Sequence, residues 1–119
     1  MKKILIGTHN PGKFKEISSL LSKKLYKLSP LSLNIKSPKE YGKTFRENSI
    51  IKANYFCRKS NLTSISDDSG LSINCLGGQP GIYSARWGKK YGGFNKAMKK
   101  IIQLIKRKRI NKKKIIANF

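Results

Sequence analysis

Carboxylates are the scarcest chemically useful side chains in this 119-residue sequence, which has 27 lysines and arginines against five acidic residues. The five are Glu16, Glu40, Glu47, Asp67 and Asp68. Each lies inside a local pattern that suits catalysis or ligand binding. In so basic a chain, these residues are therefore the first candidates for metal binding or proton transfer.

Two of these carboxylates are adjacent, in the segment Asp67-Asp68-Ser69-Gly70 after a predicted strand. Because neighbouring residues on a strand point to opposite faces, the two carboxylates are expected to have different roles. One could bind a hard cation such as Mg²⁺, which takes oxygen ligands and couples a carboxylate to substrate phosphates. The other could orient it or cap the turn. The segment is also a good β-turn sequence, and by itself it favours a turn.

A possible phosphate site precedes the first predicted helix, at Thr8-His9-Asn10-Pro11-Gly12-Lys13, with Glu16 one turn further on. A helix N-terminus offers free backbone N–H groups and the positive end of the helix dipole. Asn10 suits the N-cap and Pro11 the first helical position, while Lys13 adds a cation. An ordinary capped helix with an exposed lysine is the simpler interpretation of this segment alone.

His9 is the only histidine in the sequence. A serine or cysteine nucleophile with a histidine base is conceivable, but nothing else in the sequence supports a triad. We expect His9 to face solvent or the edge of a substrate.

Two further segments have both a structural and a functional interpretation. The first runs from Glu40 to Ser49 and continues to Lys52-Ala53. Within it, Thr44-Phe45-Arg46-Glu47 has the form of a capping box, which explains Glu47 completely. Alternatively, Glu47 faces a metal-bound triphosphate, with Lys52 on the same helix as a phosphate contact. Glycine-rich residues 77–81 permit close approach to a ligand, and Arg86 offers a bidentate phosphate fork. The structural alternative there is a surface loop whose aromatic residues pack inward.

Hydrophobic periodicity predicts alternating strands and helices in one domain. Strands are predicted at 3–7, within 26–35, at 63–66, at 71–76 and from 115 onward, and helices at 11–24, from 44, and at 95–106. The strands at 63–66 and 71–76 could together form a hairpin. The last helix is expected to bury five side chains, which are Ala97, Met98, Ile101, Ile102 and Ile105. Cys57 and Cys75 are expected to be small buried residues, since their spacing fits no zinc pattern.

Four blocks in order carry a resemblance to a known family. They are Thr8-x-Asn10-x-x-Lys13-x-x-Glu16, Thr44-Phe45-x-Glu47-Asn48-x-x-x-Lys52-Ala53, Asp67-Asp68-Ser69-Gly70-Leu71, and Leu76-x-Gly78-x-Pro80-Gly81-Ile82-Tyr83-Ser84-Ala85-Arg86. The sequence resembles the inosine/xanthosine triphosphate pyrophosphatases, the Ham1-like family, over residues 3–119. The resemblance implies an α/β fold, with an elongated mixed sheet flanked by helices and a central cleft between two lobes. It also implies a homodimer.

The resemblance further implies Mg²⁺-dependent hydrolysis of ITP, dITP or XTP to the monophosphate and pyrophosphate. On this sequence, residues 8–13 would bind the triphosphate, together with Lys52 and Arg86. Glu47 and Asp68 would serve the metal, and Asp68 would also accept a proton from the attacking water. Ser69 would contact substrate, while Asp67 and Glu16 would support the site.

The sequence departs from the family pattern in two mild ways and one serious way. Ser49 stands where alanine is usual, and Trp87 where tyrosine or phenylalanine is common. Family members continue past this endpoint with a Phe-Gly-Tyr-Asp-type segment, a lysine and a Ser-His-Arg-type segment. We therefore expect a domain truncated at its C-terminus. The sheet would lose strands and leave exposed edges, so the chain alone should be poorly stable and weakly active or inactive.

The formal charge of +22 supports a rival function, a basic nucleic-acid-binding protein. That rival predicts steeply salt-dependent binding and indifference to Asp68→Asn. The lysines are spread along the chain and match the codon bias of an AT-rich genome, which favours compositional drift. An inactive pyrophosphatase fragment is the third hypothesis. We expect no membrane span and a cytoplasmic location, because the apolar N-terminal run is too short for a signal peptide.

Overall fold

A three-stranded parallel sheet organises the first of the two compact units into which the chain divides, Met1–Asp68 and Ser69–Phe119. The structure is a computed structural model that describes residues 2–108 and 115–119. The strands are β1 (Lys2–Ile6), β2 (Leu25–Leu28) and β3 (Ser64–Ile65), in the order β2-β1-β3. Helix α1 (Pro11–Leu20) connects β1 to β2, and helix α2 (Phe45–Ser60) precedes β3. Such helical crossovers are what parallel strand pairing requires.

The centre of this sheet is β1, as the run of isoleucine and leucine predicts. Leu5 and Ile6 are completely buried, and Phe56 of α2 is 1% exposed. In the register, Lys2 lies opposite Leu25 on one side and Leu5 opposite Ser64 on the other. The predicted strand at 3–7 is confirmed. It forms most of the core of the first unit together with Phe56.

Gly7 follows β1 at a point where no side chain fits. A Cβ there would lie 2.5 Å from the Phe56 ring and would collide with Ser66 Oγ, which donates a hydrogen bond to Gly7 O. We expect Gly7→Ala to lower the free energy of unfolding by about 1–3 kcal/mol, because the core must shift to admit the methyl group. Urea denaturation checks this, with Gly12→Ala in the exposed first turn of α1 as the control. Equal unfolding free energies for the wild type and Gly7→Ala would contradict it.

Side-chain caps define the start of both helices in this unit. Asn10 Oδ1 accepts hydrogen bonds from the backbone N–H groups of Gly12 (2.9 Å) and Lys13 (3.2 Å). Thr44 Oγ1 accepts from Glu47 N at 3.0 Å, so the predicted start of α2 is confirmed. The predicted end of α1 at residue 24 is wrong. The helix stops at Leu20 because Leu21 is extended (φ −93°, ψ 155°).

Cys57 contradicts the prediction of a buried thiol. It lies on α2 and is exposed, whereas its neighbour Phe56 takes the buried position on that helix. Cys75 is half-buried and lies in a 3₁₀ turn, Asn74–Leu76, rather than in the predicted strand. Cys57 is exposed because an α-helix turns 100° per residue, so Cys57 and its neighbour Phe56 cannot both face one narrow core.

The second unit combines a short antiparallel sheet with two helices. Strand β4 (Ser72–Ile73) pairs with β5 (Ala117–Asn118), and the helices are α3 (Ser84–Lys90) and α4 (Phe94–Arg107). The predicted hairpin of residues 63–66 with 71–76 is therefore wrong, since β3 pairs in parallel with β1 instead. The predicted helix at 95–106 and the strand after residue 115 are confirmed. The basic segment noted in the sequence spans residues 106–114. Its residues 109–114 lie outside the part of the chain that the structure describes.

The core of the second unit is formed by Ile73, Leu76 and Ile101, with Ala97 also buried. Met98 and Ile102, predicted to be inward, are 46% and 49% exposed. Ala97 and Ile101 are the buried residues of α4. Met98 and Ile102 each follow one of them by a single residue, so their side chains are rotated by about 100° away from this core. None of the helices in 2–108 combines the length and hydropathy needed to cross a bilayer.

Candidate functional site

Two lysines and three carboxylates form a cluster in the first unit. Lys52 Nζ lies 3.3 Å from Glu40 Oε1 and 4.0 Å from Asp68 Oδ1, and it donates a hydrogen bond to Asp67 O at 3.1 Å. Lys13 Nζ lies 3.3 Å from Asp67 Oδ2. Four of these five residues were predicted to belong to the site. The fifth, Glu40, was noted as one of the few carboxylates but was given no role.

The fold explains why residues so far apart in sequence meet here. Asp67 and Asp68 follow β3, and the loop that leads to Lys13 follows β1. The carboxyl ends of neighbouring parallel strands lie at the same edge of a sheet, which is where open α/β sheets bind ligands. The Asn10 cap fixes Lys13 in the first turn of α1, and Lys52 projects from α2.

Asp68 has the most buried side chain of the cluster. It is 8% exposed, against 14% for Lys52 and 28% for both Lys13 and Glu40. Asp68 Oδ2 and Asp67 Oδ1 are buried and accept no hydrogen bond from any described residue. Buried polar atoms are costly without a partner, so these two oxygens are candidates for contact with a ligand. Their chemistry suits a hard divalent cation.

The surroundings of Asp68 also favour its protonated form. Burial raises the pKa of Asp68, and the neighbouring negative charge of Glu40 raises it further. Lys52, the side chain of Asn48 and Lys13 lower the pKa without cancelling the increase. A carboxylate with a raised pKa is a better proton acceptor, which is the property that a general base needs.

Asn48 is a second residue that sequence reasoning did not assign. It is 2% exposed, its Oδ1 accepts a hydrogen bond from Gly42 N at 2.8 Å, and its side chain also interacts with Asp68. A Cβ on Gly42 would lie only 2.5 Å from Asn48 Oδ1. Through this hydrogen bond, Asn48 holds the backbone at Gly42, two residues after Glu40, against α2. The sequence signal that could have identified Asn48 was its position directly after Glu47 in the second sequence block.

Glu47 has the capping role that the sequence offered as its structural explanation. Its Oε2 accepts a hydrogen bond from Lys43 N at 2.6 Å, the N–H of the residue before the N-cap, while its own N–H donates to Thr44 Oγ1. Glu16 lies on the exposed side of α1. The metal role of Glu47 and the supporting role of Glu16 stay predictions. Within 2–108 and 115–119, no three His, Cys, Asp or Glu side chains converge on one metal position, so substrate oxygens would have to complete a metal shell.

His9 joins the predicted phosphate loop to the segment that follows β2. Its Nε2 lies 2.8 Å from Ile35 O, and its Nδ1 lies 2.7 Å from Ser37 Oγ. A carbonyl oxygen only accepts, so Nε2 carries a proton, and in the neutral ring the Ser37 hydroxyl donates to Nδ1. The ring centroid is 6.0 Å from that of Phe56. The half-buried ring therefore holds the loop in place, and its predicted contact with substrate stays a prediction.

We expect His9→Ala to lower the free energy of unfolding by about 1–3 kcal/mol, because it removes both hydrogen bonds and the ring contact. Ser37→Ala removes only one of these hydrogen bonds and should cost less. Urea denaturation of the two variants measures the difference. A His9→Ala variant as stable as the wild type would show that these bonds contribute nothing.

Two further predicted residues, Ser69 and Arg86, lie in the second unit. Ser69 is exposed, and the guanidinium carbon of Arg86 lies 5.1 Å from the centroid of the Tyr83 ring. Ser84, in the same sequence block, accepts a hydrogen bond from Leu71 N and donates one to Gly81 O. This block is therefore fixed internally, and the substrate roles of Ser69 and Arg86 stay predictions.

Comparison with known proteins places this geometry in a family. The chain is 44% identical over 104 residues to the dITP/XTP pyrophosphatase of Bartonella quintana, covering 84% of this chain and 48% of the relative. It is 42% identical to the dITP/XTP pyrophosphatase of Haemophilus influenzae, covering 85% and 52%. The chain spans about half the length of the curated relatives it matches.

A solved structure supports the same relationship. The HAM1 protein from Coxiella burnetii superposes with a TM-score of 0.78 at 28% identity, covering 93% of this chain and 57% of that one. The mixed α/β fold expected from the sequence agrees with this neighbour. A sequence model of the Ham1 family matches residues 4–118. The chain belongs to the Ham1 family.

Proposed function

We propose that this chain carries the metal- and triphosphate-binding site of a pyrophosphatase that hydrolyses ITP, dITP or XTP to the monophosphate and pyrophosphate. The observation that carries the proposal is the buried Asp68 carboxylate, which lies beside Lys52 at the carboxyl ends of the parallel strands. Lys13 forms an ion pair with the adjacent Asp67. The names of the relatives, dITP/XTP pyrophosphatase, supply the substrate class.

Asp68 and Glu40 are the carboxylates best placed to hold a divalent metal, for which we propose Mg²⁺. Both lie within 4.0 Å of the same lysine nitrogen, and Asp68 Oδ2 is buried with no hydrogen-bond partner in residues 2–108 and 115–119. The bound ion would neutralise triphosphate charge and polarise the scissile phosphorus–oxygen bond. Glu47 remains the ligand that the resemblance implies, although its Oε2 already accepts a backbone hydrogen bond.

The lysines would bind the triphosphate by exchanging partners. Lys13 and Lys52 now pair with Asp67 and Glu40, and the two lysine side chains are 28% and 14% exposed. Phosphate oxygens compete well for such cations because charge-assisted hydrogen bonds to them are strong. Asp67 would then orient Lys13. Asp68 would accept the proton of the attacking water at a carboxylate oxygen, in keeping with its raised pKa.

Pyrophosphate release under single-turnover conditions tests the proposed reaction, because a slow enzyme is still detected when it is in excess. We expect ITP, dITP and XTP to give the monophosphate and pyrophosphate in the presence of Mg²⁺, and ATP and GTP to react more slowly. Phosphorus NMR identifies the products. Formation of the diphosphate and phosphate, or no product from ITP, would contradict the proposal for this chain.

Matched glutamate variants decide which carboxylate serves the metal. We expect Glu40→Gln to raise the Mg²⁺ concentration for half-maximal release at least about tenfold, since a carboxylate ligand is lost. Glu47→Gln should change the Mg²⁺ dependence less, and the glutamine oxygen can still accept the hydrogen bond from Lys43 N, so the melting temperature should change little. The reverse pattern would assign the metal to Glu47.

The assembly and domain organisation of the chain are also proposals. We propose that it forms a homodimer, as the resemblance implies, and that its two units unfold as one domain. Light scattering on the purified chain and a single cooperative denaturation transition would support these two statements. A monomeric mass or two separate transitions would contradict them.

A further inference from the structure

The ammonium of Lys52 lies among oxygen atoms of the kind that bind metal ions. Lys52 Nζ is 3.3 Å from Glu40 Oε1 and 4.0 Å from Asp68 Oδ1, and it donates a hydrogen bond to the Asp67 carbonyl oxygen at 3.1 Å. Hard divalent cations such as Mg²⁺ take the same donors, which are carboxylate and backbone carbonyl oxygens. The ammonium thus stands where such a cation would find protein ligands.

The fold brings this ammonium to the aspartates. Lys52 projects from α2, which packs beside β3, and Asp67 and Asp68 follow that strand. The Lys52 side chain is 14% exposed and the Asp68 side chain 8%. Charges with so little exposed surface keep a partner of opposite sign, because an unpaired charge in such a place is costly. Lys52 and a metal ion would therefore compete for the same carboxylates.

Two cations do not fit this set of oxygens together. A unit charge and a divalent ion about 4 Å apart repel each other appreciably even at the dielectric constant of water, and more strongly in a partly buried site. A metal held by Glu40 and Asp68 would lie close to Lys52 Nζ, since both carboxylates lie within 4.0 Å of it. Metal binding by these residues therefore requires Lys52 to leave them, and the ammonium then needs another anion.

We propose that Lys52 is an internal competitor for the metal position, which it vacates when a triphosphate offers it phosphate oxygens. This inference rests on the proposed function, from which the metal and the triphosphate are taken. Charge-assisted hydrogen bonds to phosphate would hold the displaced ammonium and leave Glu40 and Asp68 to the metal. Because linkage is reciprocal, triphosphate and metal would raise each other's affinity by the same factor. The site would load the two together and bind metal alone poorly.

Removal of the ammonium is expected to strengthen metal binding in the absence of nucleotide. Electron paramagnetic resonance of Mn²⁺ measures this binding on the purified chain without turnover. We expect Lys52→Met to bind Mn²⁺ at least about tenfold more tightly than the wild type does. ITP should strengthen Mn²⁺ binding at least about tenfold in the wild type and less than about threefold in Lys52→Met, after subtraction of the Mn²⁺ that free ITP holds.

Three further variants separate the charge of Lys52 from other effects. Lys52→Arg keeps a cation and should stay within about threefold of the wild-type Mn²⁺ affinity. Lys59→Met removes a charge from the same helix away from the cluster and should also stay within about threefold. Lys52→Gln is a second neutral variant, whose amide can still donate to the Asp67 carbonyl oxygen, and it should bind Mn²⁺ more tightly even if Lys52→Met does not fold.

Several results would overturn the proposal. They are nucleotide-free Mn²⁺ binding in the neutral Lys52 variants that is no tighter than in the wild type, equal tightening in Lys59→Met, and wild-type Mn²⁺ binding that ITP does not strengthen. Addition of Asp68→Asn to Lys52→Met should abolish the gain, and a gain that persists would place the ion elsewhere. The expected Mn²⁺ pattern without pyrophosphate release would refute the proposed reaction and leave the competition by Lys52 intact.

Discussion

Asp68→Asn is expected to reduce pyrophosphate release from Mg²⁺–ITP by about 10²–10⁴-fold, because the amide can neither accept the proton of water nor bind a metal as strongly. The same substitution is expected to stabilise the metal-free protein at neutral pH. Asp68 is 8% exposed, and its Oδ2 has no hydrogen-bond partner among the described residues. The active site would thus bind its ligands at the cost of folding stability.

The pH dependence of that stabilisation follows from the raised pKa of Asp68. The ordinary value is 3.8, and burial together with Glu40 raises the pKa in the folded state. Protonated Asp68 therefore contributes stability that is fully present below about pH 3.8 and is lost as the pH rises through the folded-state value. Asparagine does not ionise, so its advantage should appear above that range and vanish below it.

Urea denaturation in EDTA at several pH values measures this effect. The control is Asp67→Asn, whose side chain is more exposed, at 38%, and pairs with Lys13. We expect Asp67→Asn to retain more activity than Asp68→Asn and to give no stabilisation. An Asp68→Asn variant that is less stable than the wild type at neutral pH, or that still releases pyrophosphate at the wild-type rate, would contradict the account.

Lys52→Met is expected to have the second-largest effect, on both binding and stability. Lys52 Nζ contacts Glu40, the Asp68 carboxylate and the Asp67 carbonyl, and its side chain is 14% exposed. Its removal leaves two carboxylates close together without a shared cation. We expect a loss of about 1–3 kcal/mol in the free energy of unfolding at neutral pH, below the value for a fully buried pair because Glu40 is partly exposed.

The effect of Lys52→Met should depend on pH in a defined direction. Lys52 lowers the pKa of Asp68, so the variant should have a still higher Asp68 pKa. Its instability should therefore decrease as the pH is lowered and the carboxylates become protonated. Urea denaturation gives the stability, and ITP titration should show at least about tenfold weaker binding, since a charged phosphate contact is lost.

Two controls isolate the charge of Lys52. Lys52→Arg keeps the positive charge and should retain most of the stability. Lys59→Met removes a lysine from the same helix, where the ammonium lies over the Tyr55 ring at 5.8 Å, away from the cluster. We expect Lys59→Met to leave ITP binding unchanged. Equal effects of Lys52→Met and Lys59→Met would show that the cluster has no special role.

Local signals in the sequence predicted those parts of the fold that local interactions determine. The starts of α1 and α2 were predicted because Asn10 and Thr44 satisfy backbone donors within a few residues. Strand β1 was predicted from its apolar run. The pairing of β3 and β4 was not, because each strand has only two residues and its partner is chosen by distant parts of the chain.

The candidate site shows the same division. Lys13, Lys52 and Asp68 were predicted from their motifs, and the structure brings all three into one cluster. Glu40 lies 28 residues before Asp68, and although it begins the second sequence segment, nothing in that segment indicates its ionic contact with Lys52. Glu47 was preferred because the family resemblance implies a metal role for it, while the capping box was its structural explanation. Only the three-dimensional arrangement distinguishes a carboxylate that caps a helix from one that faces the cluster.

Manganese binding tests the central claim, that the Asp68-centred cluster holds a metal–triphosphate. Mn²⁺ replaces Mg²⁺ at oxygen sites and can be followed by electron paramagnetic resonance, which needs no turnover. We predict that ITP increases Mn²⁺ binding to the wild-type chain and that Asp68→Asn weakens this binding at least about tenfold. ITP-dependent Mn²⁺ binding that is equally strong in Asp68→Asn would contradict the account and place the metal elsewhere.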